Sequence, residues 1–296
     1  MKTRIITVRS VLNKHKCRDE WFIDDYSYNP YTGCSFNCIY CYTHGSKYGR
    51  VRAEVHVKIN APTILNLELA KHARRGEYGY IAIGSATEPW MTGIEDKYLI
   101  TRRSLEVIRK HCFLVHCLTK SPLILRDLDI LEEIDGNAKL PEDLRESIGR
   151  GVLIAFSFST LREEIARIFE PNAPPLDQRI EAIKEILDKG FMAGIAYMPI
   201  LPYLTDNKID DMIKLAKDLG CKYVYFAPLT LQGKGRELFM KFIEIKYPEF
   251  LKEYKILYHN RYSPPKWWTK KFYVKIIGKL KRHNIRFGPT NIEPKP

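Results

Sequence analysis

Three cysteines, Cys34, Cys38 and Cys41, lie close together in the segment Tyr28-Asn29-Pro30-Tyr31-Thr32-Gly33-Cys34-Ser35-Phe36-Asn37-Cys38-Ile39-Tyr40-Cys41-Tyr42, at the spacing C-x3-C-x2-C. A loop this short can wrap a cubane so that each sulfur reaches a different iron. Cysteine thiolates normally hold all four irons of a [4Fe-4S] cluster. Three local ligands leave one iron open, and an open iron can bind a substrate or cofactor. Structural zinc requires a fourth Cys or His, often as a second paired knuckle. His44 and Cys17 are available, but neither makes a recognised zinc spacing with the trio. A disulfide framework sits badly with seven cysteines, an odd count, and with first ten residues that lack the apolar segment of an export signal. The spacing favours the cluster over zinc, and zinc over disulfides.

The elements that must position these thiols alternate. A strand over 26–31 feeds the cysteine loop, and 54–59 reads as an accessory or edge strand. Further strand-like runs cover 80–85, 112–119, 152–158, 191–198 and 221–227. Helical patterns fall between them at 62–74, 97–110, 122–134, 177–189 and 208–219, with a polar stretch and a helical turn at 140–150. Six strands joined by helices predict a parallel sheet with right-handed crossovers. By alternation, His116, Leu118 and Lys120 share one strand face and Cys117 takes the other, toward the helices. Ser157 and Ser159 share a face in the same way, where one or both can hydrogen-bond a cofactor.

C-x3-C-x-aromatic-C, with Tyr40 as the aromatic, resembles the signature of the radical S-adenosylmethionine superfamily. Asn29-Pro30-Tyr31-x-Gly33-Cys34 and Cys38-x-Tyr40-Cys41-Tyr42 resemble the branch related to spore photoproduct lyase. In the same order follow Gly84-Ser85-Ala86-Thr87-Glu88-Pro89, Thr119-Lys120-Ser121, Arg126-Asp127-Leu128-Asp129, Glu170-Pro171-x-Ala173-Pro174 and Pro199-Ile200-Leu201-Pro202. The resemblance implies an α/β fold with a partial (β/α)6 barrel. Residues 1–25 would be a lead-in, 26–230 the core, and 231–296 a basic, aromatic-containing extension packed on the barrel. Chemistry in such barrels sits at the C-terminal ends of the strands, and the motifs all follow strands.

The resemblance also implies two cofactors, a [4Fe-4S] cluster on Cys34, Cys38 and Cys41 and S-adenosyl-L-methionine chelated at the open iron. Reductive cleavage of the C5′–S bond would give methionine and a 5′-deoxyadenosyl radical that abstracts hydrogen from substrate, so a reductant or electron-donor protein is an expected partner. Tyr40 would help seat the adenine, and the segment 198–202 lies near it. Lys120 would pair with the cofactor carboxylate. Ser85 and Glu88 belong to the segment that meets its amino group. Tyr40 and Tyr42 correspond to tyrosines of the lyase's proposed radical relay, and are the catalytic candidates. Where the lyase carries a hydrogen-donor cysteine, this chain has Gly84 and Ser85. A serine O–H is a much poorer hydrogen-atom donor than a thiol, and Cys112 and Cys117 lie one strand later. Arg126 with Asp127 or Asp129, and Glu170 with Arg179, read as structural ion pairs.

The chain has 296 residues, 45% of them hydrophobic, enough for a real core, and a net charge of +13. No apolar run approaches the ~20 residues that span a bilayer, so no membrane partner is expected. A reducing, cytoplasmic setting suits an oxygen-sensitive cluster. The charge favours a polyanionic partner, DNA or RNA. It is uneven: residues 266–286 carry eight Lys or Arg and no acid, interleaved with Trp267, Trp268, Phe272 and Tyr273. Charge for phosphates and flat rings for bases are what unpaired nucleic acid needs. Phe272, Ile276 and Leu280 also have the spacing of a packing face. The leading expectation is a radical enzyme acting on nucleic acid. The alternatives are such an enzyme acting on a small molecule or protein, and a non-enzymatic, metal-stabilised nucleic-acid-binding module.

Overall fold

The computed structural model describes residues 2–44 and 54–292. Its strands are β1 (Lys2–Ile6), β2 (Leu12–Lys14), β3 (Asp24–Tyr28), β4 (Tyr31–Thr32), β5 (Glu54–Lys58), β6 (Tyr80–Ile83), β7 (Leu114–Thr119), β8 (Val152–Phe158), β9 (Met192–Ile200), β10 (Tyr223–Pro228) and β11 (Arg286–Phe287). Its α-helices are α1 (Ala61–Arg74), α2 (Glu95–Tyr98), α3 (Ile100–Lys110), α4 (Leu128–Asn137), α5 (Glu142–Ser147), α6 (Glu163–Phe169), α7 (Leu176–Asp188), α8 (Ile209–Asp218), α9 (Gly233–Lys246), α10 (Leu251–Leu257) and α11 (Lys266–His283).

The main sheet runs β11-β10-β9-β8-β7-β6-β3-β2. From β3 to β11 every neighbouring pair is parallel, and only β2 is antiparallel, against β3. The six strands read from the sequence are therefore consecutive neighbours, and the sheet is open, as a partial barrel requires. Parallel strands are covered on both faces and read as unbroken apolar runs. Val152-Leu153-Ile154-Ala155-Phe156 at the centre of the sheet is such a run and is fully buried. The gap between the sheet's ends is filled by the turn from β2 to β3. There the Phe22 ring sits 4.6 Å from Tyr225, Trp21 meets Phe287 edge-on at 5.2 Å, and Tyr225 donates its hydroxyl to the Trp21 carbonyl.

Several elements depart from the expected pattern. β5 is an accessory strand rather than an edge strand: it is the centre of a separate three-stranded sheet, β1-β5-β4. The expected helix over 97–110 is broken at Leu99, whose φ of 51° separates α2 from α3. The next one starts as a 3-10 turn, Pro122–Asp127, before becoming α4. Arg126 there pairs with Asp127 and with Glu95 from α2, whereas Asp129 pairs with Arg102. α11 leads into β11, which is parallel to β10, so the helix runs against the strands and begins at their C-terminal end. Phe272, Ile276 and Leu280 are buried beneath it, as their spacing predicts, together with Tyr273.

Candidate cluster and cofactor site

The C-terminal ends of six strands open into one cavity of about 610 Å³. Cys34, Cys38 and Cys41 line one wall of it. The opposite wall is built from residues 84–88 after β6, 118–120 at the end of β7, Ser157 in β8, Met198 and Pro199 in β9, and 227–230 at β10. Two glycines make this possible. Gly33, just before the first cysteine, has φ of 80°, and a Cβ there would lie 2.5 Å from the Glu54 carbonyl oxygen. Gly84 has φ of 96°, and its Cβ would meet the Leu118 carbonyl oxygen at 2.3 Å. Only glycine tolerates both the conformation and the approach.

The cysteine loop is clamped from outside. Ile39 N–H donates to the Phe169 carbonyl, Asn172 N–H to Phe36, and the Asn172 side chain to the Ser35 carbonyl. The stronger tie is Glu170. Its carboxylate accepts from the hydroxyl of Tyr40 and from Ser159 Oγ, and stands 2.6 Å from Arg179 Nη2. Glu170 and Arg179 are both buried. Burial alone would raise Glu170; Arg179, Lys120 and the two hydroxyls outweigh it and hold the group below the usual carboxylate range. The pair expected to be merely structural thus fixes the aromatic residue between Cys38 and Cys41. The sequence did signal this element, as Glu170-Pro171-x-Ala173-Pro174, but not its reach back to Tyr40.

Lys120 leaves β7 and enters the cavity. Its Nζ donates to Ser157 Oγ at 2.5 Å and lies 6.0 Å from the centre of the Tyr40 ring. Among the described residues no carboxylate is within ion-pair distance of it. Ser157 also lines the cavity and donates to the Met198 carbonyl. Ser159 does not join it. Its hydroxyl is buried and spent on Glu170, because the chain has already left β8 at Phe158 and turned toward α6. Glu88 reaches the cavity wall, but its oxygens accept from Thr119 Oγ1 and from the backbone N–H groups of Trp90 and Lys120. Its carboxylate ties the β6 and β7 loops together rather than standing open to an amino group. Ser85 lines the cavity, with Asn29 as an organiser the sequence reading did not assign. Asn29 donates to Ser85 Oγ and accepts from Ala86 N–H. Tyr42 is half-exposed at the rim and donates to the Ser85 carbonyl. Cys117 is buried away from the cavity, as strand parity requires.

The thiols fit a cluster. None of the described cysteines is in a disulfide. Burial pushes Cys34 up to about 12 and Cys38 well above the ordinary thiol range, so bare thiolates are disfavoured here. Iron supplies the positive charge that ionises a coordinating thiol outright. Among the described residues no three His, Cys, Asp or Glu side chains converge on a single-ion position.

A three-cysteine loop over the mouth of an open parallel barrel, facing a cofactor-sized cavity, defines the class: an iron–sulfur enzyme of the α/β type. The family model of the Radical SAM superfamily matches residues 28–216, and the chain belongs to that superfamily. Its cofactors are therefore a [4Fe-4S] cluster and S-adenosyl-L-methionine, and the reading as a non-enzymatic, metal-stabilised module falls away. The chain is 29% identical over 264 residues to an uncharacterised protein of Methanocaldococcus jannaschii, covering 88% of this chain and 87% of that one. It is 28% identical over 253 residues to an uncharacterised protein of Mycobacterium tuberculosis, covering 81% and 69%. Among solved structures it is similar to spore photoproduct lyase, in a mutant with one tyrosine replaced by phenylalanine (TM-score 0.70, 15% identity, 97% of this chain and 80% of that one). It is also similar to a doubly substituted mutant of that lyase with bound AdoMet and dinucleoside spore photoproduct (TM-score 0.69, 16% identity, 95% and 79%). At these identities the likeness is one of fold.

Proposed function

We propose that this radical SAM enzyme abstracts hydrogen from a nucleic-acid substrate, in repair or modification. When bound, the reduced cluster and S-adenosyl-L-methionine supply a 5′-deoxyadenosyl radical. Cys34, Cys38 and Cys41 hold the cluster, with a reductant or donor protein as its electron source. Lys120 pairs with the cofactor carboxylate, since it is a cavity cation whose hydrogen-bond partner among the described residues is the Ser157 hydroxyl. Ser157 orients Lys120, and the Tyr40 ring, fixed by Glu170, borders the adenine. Tyr42 bridges the cysteine loop to the Ser85 segment at the rim, where a relay tyrosine would stand. No helix among the described residues is long and apolar enough to cross a membrane, and a reducing, cytoplasmic setting suits the cluster. In the division we propose, 26–230 is the core, and 1–25 and 231–296 extend its walls.

The observation that carries the substrate class is the first half of α11. Lys266, Lys270 and Lys271 are exposed there, and Trp267 is 67% exposed, at the end of the helix nearest the cavity mouth. Farther along, Lys279 is tied to Asp210. Lysines neutralise phosphates and release counterions, and an exposed indole stacks on a base. The buried face of α11 supplies roughly 1.5–3 kcal/mol per fully buried side chain, so surface charge reversal leaves it folded.

Two measurements test the reading. Single-stranded oligonucleotide should bind the reconstituted enzyme with an affinity that falls steeply with salt, and reversing Lys266, Lys270 and Lys271 to Glu should weaken it and flatten that dependence. Lys120→Ala should weaken S-adenosyl-L-methionine binding by roughly 1.5–3 kcal/mol, the worth of a charge-assisted hydrogen bond, with the cluster spectrum retained. Undetectable oligonucleotide binding, or an affinity indifferent to the charge reversals, removes nucleic acid as the substrate class and leaves a small molecule suited to the cavity.

A further inference from the structure

The chain folds back on its third cysteine as soon as it has passed it. Thr43 Oγ1 lies 3.0 Å from Cys41 Sγ. Thr43 is buried and lines the cavity beside the thiols. While the thiol keeps its proton, either atom can donate. A cysteine that ligates a metal has lost that proton, so the hydroxyl is then the donor and the sulfur the acceptor.

A side chain two positions beyond a ligand reaches back to its sulfur only if the turn between them is held. Within this turn, Cys41 N–H donates to the Cys38 carbonyl and His44 N–H to the Cys41 carbonyl. The His44 ring, also buried, places Nε2 2.8 Å from the Cys38 carbonyl oxygen. From outside, α9 brings a buried glycine of its first turn, Gly235, against the same segment. A Cβ on Gly235 would stand 3.0 Å from the His44 carbonyl oxygen, 3.3 Å from His44 Cβ and 3.5 Å from the Cys41 carbonyl oxygen. Glycine costs a helix stability relative to alanine, and the close approach accounts for its presence here. Gly278, inside α11, is the contrast: a Cβ there would meet nothing within 4 Å.

We infer that the Thr43 hydroxyl tunes the iron–sulfur centre: it donates a hydrogen bond to the Cys41 sulfur and raises the reduction potential, with His44 and Gly235 as positioning residues that keep it in reach. This rests on the three cysteines holding the cluster, and adds a residue that acts on it. The reason is electrostatic. One electron, supplied by the reductant or donor protein, adds a negative charge that the thiolate sulfurs share. A hydroxyl dipole aimed at one of those sulfurs stabilises the reduced state more than the oxidised one. Hydrogen bonds to the sulfurs are among the levers that set such potentials, and a bond to a charged acceptor is stronger than a neutral one. The low dielectric of a buried site strengthens it further. Segment 231–296 thereby reaches the chemistry through α9, and not only through the exposed face of α11.

The test is an anaerobic redox titration of the reconstituted protein, followed by electron paramagnetic resonance, with iron counted in every variant. Thr43→Val keeps the shape and removes the hydroxyl, so its midpoint potential should fall below the parent's. Thr43→Ser restores a donor and should bring the potential back toward the parent's. Gly235→Ala pushes on the turn and should lower the potential too. It should add nothing in the Thr43→Val background, because two changes that act through one contact do not add. Gly278→Ala should leave the potential where it is. If Thr43→Val takes up no iron, the comparison of Gly235→Ala with Gly278→Ala carries the test, and equal potentials in those two overturn the inference. An unchanged potential in iron-loaded Thr43→Val, or an equal fall in Thr43→Val and Thr43→Ser, overturns it as well and leaves the cluster assignment standing. A parent protein that takes up no iron overturns the cluster assignment itself.

Discussion

The two ends of the cavity are built on different terms. At the mouth almost every polar group is already spoken for. Glu88 is saturated by Thr119, Trp90 and Lys120, and Glu170 holds Tyr40, Ser159 and Arg179. Among the described residues what is left there for a ligand is three thiols, one of them also hydrogen-bonded to Thr43, and one lysine whose partner is the Ser157 hydroxyl. At the floor the carboxylate of Asp24 and the imidazole of His116 lie buried together, and His116 Nε2 has no hydrogen-bond partner among the described residues. A site that must place a cofactor to within a fraction of an ångström uses preorganised, mutually locked groups. A buried polar atom left without a partner instead costs stability. The same low dielectric serves both, since it strengthens satisfied networks and penalises unsatisfied ones.

The largest effect expected at the mouth is all-or-none. Cys38→Ala should abolish the iron–sulfur absorption and the release of 5′-deoxyadenosine, while Asp24→Asn should keep the iron–sulfur spectrum. Loss of the cluster in the floor variant would erase the division between the two ends. Next comes the lock itself. Arg179→Met leaves Glu170 buried without its cation, and should lower stability by about 3–5 kcal/mol, as breaking one partner of a buried pair does. Thermal unfolding of the two proteins side by side measures it, and a shift within error would show that Tyr40 and Ser159 suffice to hold the carboxylate.

The smallest effect has the opposite sign. Asp24 protonates near 6 when folded, above its ordinary value of 3.8, because burial disfavours its charge. The folded state therefore holds that proton more tightly than the unfolded state, and the carboxylate costs stability at pH values above 6. The cost shrinks as the pH falls from 6 toward 4 and is gone below the ordinary value. Asp24→Asn should thus be more stable than the parent by about 2–3 kcal/mol at pH 7 to 8, with the advantage vanishing near pH 4. A variant less stable than the parent at neutral pH would mean that the His116 contact outweighs the burial of the charge, and the floor would then be locked like the mouth.

Much of the mouth was legible in the sequence because its signals are local. Cysteine spacing, the aromatic before the last ligand and the period-two alternation that carries Lys120 inward on β7 depend on neighbours a few residues apart. The order of six parallel strands followed from strand–helix alternation for the same reason, as did the packing stripe of α11. Ser159 went astray because alternation ends where the strand ends, one residue earlier, and a hydrogen bond to Glu170 then decides where the hydroxyl points. Glu88 is a like case, its loop folded onto its own carboxylate.

Short-range spacing and periodicity were thus enough to single out the three cysteines and to predict the parallel sheet, and the family resemblance those motifs carry gave the cofactors. The folded chain alone reveals that Glu170 anchors Tyr40 across 130 positions, and that Asp24 meets His116 across 92. It alone reveals that a two-residue strand after α11 extends the sheet. Contacts of that kind depend on how the twisted sheet curls toward closure, and no local pattern of residues encodes the distance between its two ends.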